Sequence, residues 1–438
     1  MKRMVWTAAT ILLTAALILP AGCPRKRLPP GPAPAKRITF WHIQTSSVTR
    51  KVTEDAVGRY EGNHEDVAVR TTACKNDLYK QKLSQAMASA NVPDVFHTWG
   101  GGMLASFVDD RQVTDLTSAV EAAGLTKRIL PAALEFGKVR GKIYAVPMDV
   151  SVVVMWYNRK LFEKHHVTVP TTFEELKSAC EKLRNAGITP IALGNKDKWP
   201  GAFYFIYLAT RLGGTQPFKD AAGRAPGGTF EHPSFIEAGR KLQELTRAEV
   251  FNKGASVLTY DDARGLFINE KAAMMLMGTW FLADLRSDAP ELLDKVDCFA
   301  FPVVRGGTGK PNVIVGGINA AYAISSRCLN KEEAFGLLEE LVSDTTAKQW
   351  GETGRIPALN ATVISPLLEK HTLKAALLLF GAPEIQLYYD QYLPPALAEL
   401  HKTTTQSLIA GTTTPTAAAR DMETLARETA ANSKTGAP

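Results

Sequence analysis

Apolar and polar positions along this chain switch repeatedly between a two-residue and a 3.6-residue period. Ile38-Thr39-Phe40-Trp41-His42 has the alternation of a strand and leads into a polar loop at 44–49. A helical period follows at 52–60, a strand at 67–71, and a second helix at 77–90 with Leu78, Leu83 and Met87 on one face. Residues 93–98 predict another strand, ending at Trp99-Gly100-Gly101-Gly102. Further strands are expected at 152–157, 272–277 and 313–324, and helices at 172–185, 201–212 and 235–245. Thr172 with Glu175 makes a capping box for the first of these helices, and Gly187 stops it. Residues 302–312 predict a loop, and from Lys331 the chain reads as chiefly helical. Strands alternating with helices predict an α/β fold of doubly wound sheets, in which ligands bind where strands end.

The N-terminus has a different character. Lys2 and Arg3 precede an uncharged apolar run at 4–19, the pattern of a signal peptide over 1–22. The run closes on Leu19-Pro20-Ala21-Gly22-Cys23, which resembles a bacterial lipoprotein cleavage box with Cys23 as the lipidated N-terminus; Pro20 stands where an aliphatic residue is usual. Simple secretory cleavage would instead leave Cys23 free. Residues 23–37 hold five prolines and five cations with no acid, an extended tether suited to an anionic membrane surface.

Charge follows the same division. The chain carries +7, and Lys2, Arg3 and the five cations of the tether account for all of it. The part from Ile38 onward is neutral, so no nucleic-acid partner is expected. Its roughly 400 residues predict two lobes. Cys74, Cys180, Cys298 and Cys328 show no metal-ligand spacing, so neither metal nor cofactor is expected; three disulfide connectivities and four free thiols all stay open.

Enzymatic motifs are poor. Gly306-Gly307-Thr308-Gly309-Lys310 lacks the first glycine of a phosphate loop, and Pro311 stands at its Ser/Thr position. His64-Glu65 has no second histidine, and no Gly-x-Ser-x-Gly elbow occurs. Asp149, Asp261, Asp262 and Glu270 offer carboxylates for a secreted glycoside hydrolase or lyase, but sequence spacing does not place any two of them together. Tryptophan carries the stronger signal. Trp41, Trp99, Trp199 and Trp280 each lie beside glycine, proline or polar residues at element ends, where an indole face stays open to the C–H face of a sugar ring. Trp156 and Trp350 lie inside elements and read as core.

Several segments in order resemble the family 1 extracellular solute-binding proteins, the carbohydrate receptors of bacterial ABC importers. They are 38–44 (ITFWHIQ), 92–102 (VPDVFHTWGGG), 142–149 (KIYAVPMD), 155–162 (MWYNRKLF), 170–176 (PTTFEEL), 186–200 (AGITPIALGNKDKWP), 260–280 and 316–319 (GGIN). Glu270 replaces the glycine usual before Lys-Ala-Ala-Met, and the helices after about 364 find no counterpart. The resemblance implies a periplasmic-binding-protein-like fold of class II, with two doubly wound lobes joined by hinge strands. It divides the chain into 38–148 plus 281–326 and 149–280 plus 327–438, with crossings near 147–150, 278–281 and 325–330. It further implies a monomeric receptor, not an enzyme, that takes an oligosaccharide and delivers it to permease subunits; a non-sugar ligand on the same fold is the alternative. The implied ligand contacts are Trp41, Gln44, Trp99, Asp149, Trp199, Trp280, Gly316, Asn319 and Arg355. Trp99 and Trp280 would stack on sugar, Gln44, Asp149 and Asn319 would bond hydroxyls, and Gly316 would admit the ligand to the backbone.

Overall fold

The computed structural model describes residues 35–89, 91–360 and 368–435. The leader, Cys23 and nearly all of the tether lie outside these residues. Twelve strands are described: β1 (Lys36–His42), β2 (Val67–Ala73), β3 (Val95–Thr98), β4 (Lys138–Val139), β5 (Lys142–Ile143), β6 (Ala145–Asn158), β7 (Thr189–Ile191), β8 (Ala272–Gly278), β9 (Val296–Phe299), β10 (Ile314–Ile324), β11 (Ile356–Pro357) and β12 (Ile385–Leu387). Ten of them form one hydrogen-bonded sheet with the path β2-β1-β3-β10-β6-β8-β7, while β4 and β5 pair separately.

The two ends of that path are parallel: β1 runs with β2 and β3, and β7 runs with β8. Two long antiparallel strands splice them. β10 pairs with β3 through 321–324 and with β6 through 316–323. β6 pairs with β10 along its first half and with β8 and β9 along its second. All fourteen residues of β6 are buried, as expected of a strand covered on both faces. The sequence pattern predicts only 152–157 here, because Pro147 cannot donate to a ladder and Asp149 disfavours a strand. The ladder accommodates the whole run through register shifts around Ala320.

Other boundaries move for local reasons. The helix Ser47–Asn63 starts inside the polar loop because the Ser46 side chain caps it, accepting from Thr49 N–H. In the helix Asn76–Ala88 the buried face is Tyr79, Leu83, Ala86 and Met87, whereas Leu78 is 49% exposed. Thr172 and Glu175 form the expected reciprocal capping box. The loop at 302–312 is pinned by buried Arg211, whose guanidinium donates to the carbonyls of Phe301, Lys310 and Val313. Trp156 and Trp350 are core residues, and Trp156 Nε1 donates to Met277 O at 3.0 Å. Cys74, Cys180, Cys298 and Cys328 are all free and buried, so the open question of pairing closes on thiols. Burial pushes the Cys180, Cys298 and Cys328 thiols up to about 12.

The chain after β10 serves both ends of the sheet. Helices Lys331–Leu341 and Asp344–Thr353 pack on Ser47–Asn63 beside β1–β3. Helices Pro395–Ala410 and Pro415–Thr435 pack on Trp199–Gly213 and Pro233–Arg247 at the β7–β8 end. No described helix is long and apolar enough to cross a membrane.

Glu423 anchors the last helix. Its carboxylate, 3% exposed, accepts from Arg224, Arg427 and the Phe230 N–H. Burial pushes the carboxyl up, but these donors outweigh it and hold its pKa near 2, against 4.5 for the free group. A depressed carboxyl contributes stability above the unfolded pKa and loses it as pH falls. Glu423→Gln should cost about 2 kcal/mol at neutral pH. The difference from wild type should shrink as pH drops from 4.5 toward 2, which urea unfolding across that window measures.

Candidate functional site

Four residues far apart in sequence converge where β6, β10 and β11 meet. Asp149 sits in the first half of β6, and its carboxylate is completely buried. Arg355, immediately before β11, donates from Nη1 to Asp149 Oδ2 at 2.8 Å and from Nη2 to Gln44 Oε1 at 3.3 Å. Asn319 of β10 donates from Nδ2 to the same carboxylate, 3.1 Å from Oδ2 and 3.4 Å from Oδ1. Burial pushes the Asp149 carboxyl up, while the Arg355 guanidinium and the Asn319 amide pull it back. Gln44 is set by its own backbone, whose N–H donates to His42 Nδ1 at 3.2 Å. Burial holds the His42 pKa near 4, so that nitrogen stays an acceptor at neutral pH.

An aromatic group adjoins this cluster. Ser151, two residues along β6 from Asp149, shares a 2.7 Å hydrogen bond with Tyr388 Oη. The Tyr388 ring meets Phe203 at 5.4 Å between centroids, and Phe203 meets Trp280 at 6.1 Å. Trp199, first residue of its helix, lies 6.1 Å from Trp280 and 5.3 Å from Tyr260. Trp280 folds back across the end of β8. A Cβ on Gly278 would come within 2.0 Å of its ring, so the glycine makes room for the indole. Trp199 and Trp280 are half-buried.

The remaining expected residues are placed differently. Trp99 is only 6% exposed, with His97 at 4.5 Å, Tyr79 at 5.9 Å and the Lys80 ammonium 4.7 Å over its ring. Trp41 is half-buried within β1, paired with Thr72 and Phe96. Gly316 faces its neighbour strand, where a Cβ would meet Ser151 O at 2.7 Å. Its small size therefore serves strand packing. Sequence reading omits Tyr388, Phe203, Tyr260 and Gln391. Gln391, whose Oε1 would lie 3.5 Å from a Cβ on Gly317 of β10, and Tyr388 both lie beyond the region of resemblance, and Phe203 and Tyr260 look like core aromatics until the fold brings them to Trp280 and Trp199.

Several buried polar atoms here have no partner among the described residues: Gln44 Nε2, Trp199 Nε1, Thr279 Oγ1, Arg355 Nε and Gln391 Oε1. Buried polar atoms are nearly always hydrogen-bonded; other unpartnered atoms lie elsewhere in the core, among them Asn158, Trp350 and His401, and those at this site are donors and acceptors open to a polar ligand. The carboxylates weighed for hydrolysis do not converge. Asp149 is engaged by Arg355, Asp261 by Lys75, Asp262 in the cap of Thr259, and Glu270 by Lys295. Among the described residues no group of three or more His, Cys, Asp or Glu side chains is arranged to hold a metal.

Two α/β halves spliced by through-running strands, with a polar and aromatic cluster at the splice, define a two-lobed binding protein. Residues 44–348 match the profile of the bacterial extracellular solute-binding proteins, and the chain belongs to that family. Its members are receptors and not enzymes, and they work outside the cytoplasm. The melibiose/raffinose/stachyose-binding protein MelE of Bacillus subtilis is 22% identical over 404 residues, spanning 91% of each chain. The multiple sugar-binding protein of Streptococcus mutans is 28% identical over 209 residues, 45% of this chain and 46% of the relative. A solved protein of xylan utilization from the thermophile Caldanaerobius polysaccharolyticus is 30% identical with a TM-score of 0.83, covering 89% of this chain and 99% of its own. A chitin oligosaccharide binding protein shares the fold at 23% identity and a TM-score of 0.82, covering 90% of this chain and 98% of its own.

Removing one partner of a buried ion pair strands the other charge, at a typical cost of about 3–5 kcal/mol. Arg355→Ala should lower stability by that amount, read from urea unfolding. Adding Asp149→Asn should recover much of the loss, because the stranded charge is gone.

Proposed function

We propose that the chain is the extracytoplasmic receptor of an ABC sugar importer, and that it holds an oligosaccharide at the junction of its two halves for delivery to the permease. The observation that carries this reading is the convergence of Gln44, Asp149, Asn319 and Arg355 beside the Trp199–Trp280 aromatic group. Indole faces suit the C–H patches of pyranose rings, and the unpartnered amide, hydroxyl and guanidinium atoms suit their hydroxyls. Sugar-binding relatives add support, among them MelE and a Bacillus licheniformis sugar transporter solved in complex with stachyose.

In this reading Trp280 and Trp199 are the stacking platform, and Gln44, Asn319 and Arg355 bond hydroxyls, with Asp149 orienting the last two. Gln391 is added as a contact. Trp41 stays at the margin, Gly316 shapes the strand beneath the site, and Trp99 braces the wall. The receptor is monomeric. The first lobe holds 38–148 plus 281–326 and the second 149–280 plus 327–438, except that helix packing on Ser47–Asn63 favours giving 331–353 to the first, and pairing with the second half of β6 favours giving β9 to the second. The chain is tethered to the membrane through a lipid on Cys23, with 1–22 removed.

A panel of oligosaccharides tested by thermal shift addresses the central reading. A true ligand at a hundred times its dissociation constant should stabilise by about 2.7 kcal/mol; no shift across gluco-, galacto-, xylo- and chito-oligosaccharides would overturn it. With a ligand in hand, Trp280→Ala should weaken binding by about 2 kcal/mol, on the order of thirtyfold, with little loss of melting temperature. Trp99→Ala, at a side chain only 6% exposed, should instead cost about 3–5 kcal/mol of stability. Cys23→Ala should move the mature protein from the membrane fraction to the soluble fraction.

A further inference from the structure

The three glycines after Trp99 face two different partners. A Cβ on Gly100 would lie 2.2 Å from Phe136 O, beside β4 and β6. On Gly101 it would lie 2.2 Å from Gln391 O, and on Gly102 2.1 Å from Leu393 O. Glycines 101 and 102 open the helix Gly101–Asp109, which follows β3 in the β1–β3 half. The segment they touch belongs to the other half. Tyr389 stacks on Phe218 at 3.7 Å, and Pro395–Ala410 packs on Trp199–Gly213. Side chains of at least one carbon are thus excluded where the start of one half's helix seats on backbone carbonyls of the other. Real Cβ atoms do not approach backbone oxygen so closely, and the backbone on both sides is held within its own half.

We propose that Gly101 and Gly102 are affinity-determining residues of this receptor: they are the seat that lets the two halves meet around ligand. The inference rests on the receptor reading above. One ion pair accompanies the seat, Lys75 Nζ to Asp261 Oδ2 at 2.5 Å, and it joins the helix after β2 to the helix before β8. Both of its side chains are substantially exposed, 74% and 40%, so it contributes little to the contact. It does report on it. Gly102 also isolates the steric effect, because Gly101 has φ +58° and Gly102 is outside the left-handed region. Alanine at 102 is strained only by the Leu393–Pro394 peptide, its Cβ 2.1 Å from Leu393 O, 2.6 Å from Leu393 C and 3.0 Å from Pro394 N, and it favours the helix in the separate half.

The test is Gly102→Ala beside Gly62→Ala, a helix position with nothing within 4 Å of the added carbon. A carbodiimide activates the Asp261 carboxyl, and Lys75 Nζ displaces the resulting urea to form an amide, which mass spectrometry of peptides quantifies. Lys198 and Glu399, 2.6 Å apart within one half, give a reference cross-link that also reports folding. Gly102→Ala should lower the Lys75–Asp261 yield severalfold relative to that reference and weaken sugar binding on the order of tenfold or more. Gly62→Ala should change neither. Asp261→Asn, which removes the ion pair and keeps the seat, should hold affinity within about threefold. Undiminished cross-linking in Gly102→Ala, or an equal affinity loss in Asp261→Asn, would overturn the seat. A wild type that cross-links as described and binds no sugar in the panel would overturn the receptor reading and leave the seat standing.

Discussion

The carboxylate of Asp149 lies inside the strand that both halves of the protein share, and much else follows from keeping it there. A buried charge without partners is costly enough that the group would neutralise or the strand would open. Asn319 of β10 and Arg355, the residue entering β11, supply the compensation, and the Arg355 guanidinium reaches on to Gln44 beyond β1. Four segments separated by up to 311 residues are thereby fixed to one point. Such a pair is weak evidence for stability in itself, since desolvation offsets most of the Coulombic gain. Its value lies in position: directional donors are held, already dehydrated, where a polar ligand would meet them.

Around this point the fold separates polar work from apolar work. β6 and β10 carry apolar residues on both faces and pass uninterrupted between the halves. Apart from Asn158, which ends β6 and caps the next helix, Asp149, Ser151 and Asn319 are the polar exceptions along the two strands, and each finds a specific partner in Arg355, Tyr388 or one another. The aromatic group begins where Tyr388 meets Ser151 and extends through Phe203 to the two tryptophans. On the proposed receptor reading, a sugar's two kinds of surface, hydroxyl edges and C–H faces, would meet these two adjoining linings.

Glycine repeatedly marks close approach here. Gly278 lets an indole lie over a strand end, Gly316 lets two strands close, and Gly101 and Gly102 let the halves touch. The departure at Glu270 is instructive. Its φ is +55°, the left-handed region that glycine occupies without cost, which accounts for glycine being usual there. Lys295 engages the Glu270 carboxylate at 2.5 Å, an interaction that a glycine could not make.

Periodicity alone was enough for the α/β class, for most strands and helices, and for the capping box at Thr172, because those depend on neighbours within one or two turns. The ordered segments between 38 and 319 also sufficed for the family, and they singled out Gln44, Asp149 and Asn319; the fold joined these to Arg355 of Gly354-Arg355-Ile356-Pro357, beyond the matched segments, where a surface arginine was the plainer reading. Their mutual bonding was not legible, since nothing local ties Gln44 to Arg355. The full length of β6 was hidden for the same reason: Pro147 and Asp149 look unfavourable until β10 and Arg355 are alongside. Trp99 and Trp280 each follow a threonine at a strand end with glycine nearby, and packing separates them. One is enclosed by Tyr79, His97 and Lys80, while the other remains half-open beside Trp199. Local pattern fixes what a residue does to its own backbone; which face of it stays open is settled by segments hundreds of positions away.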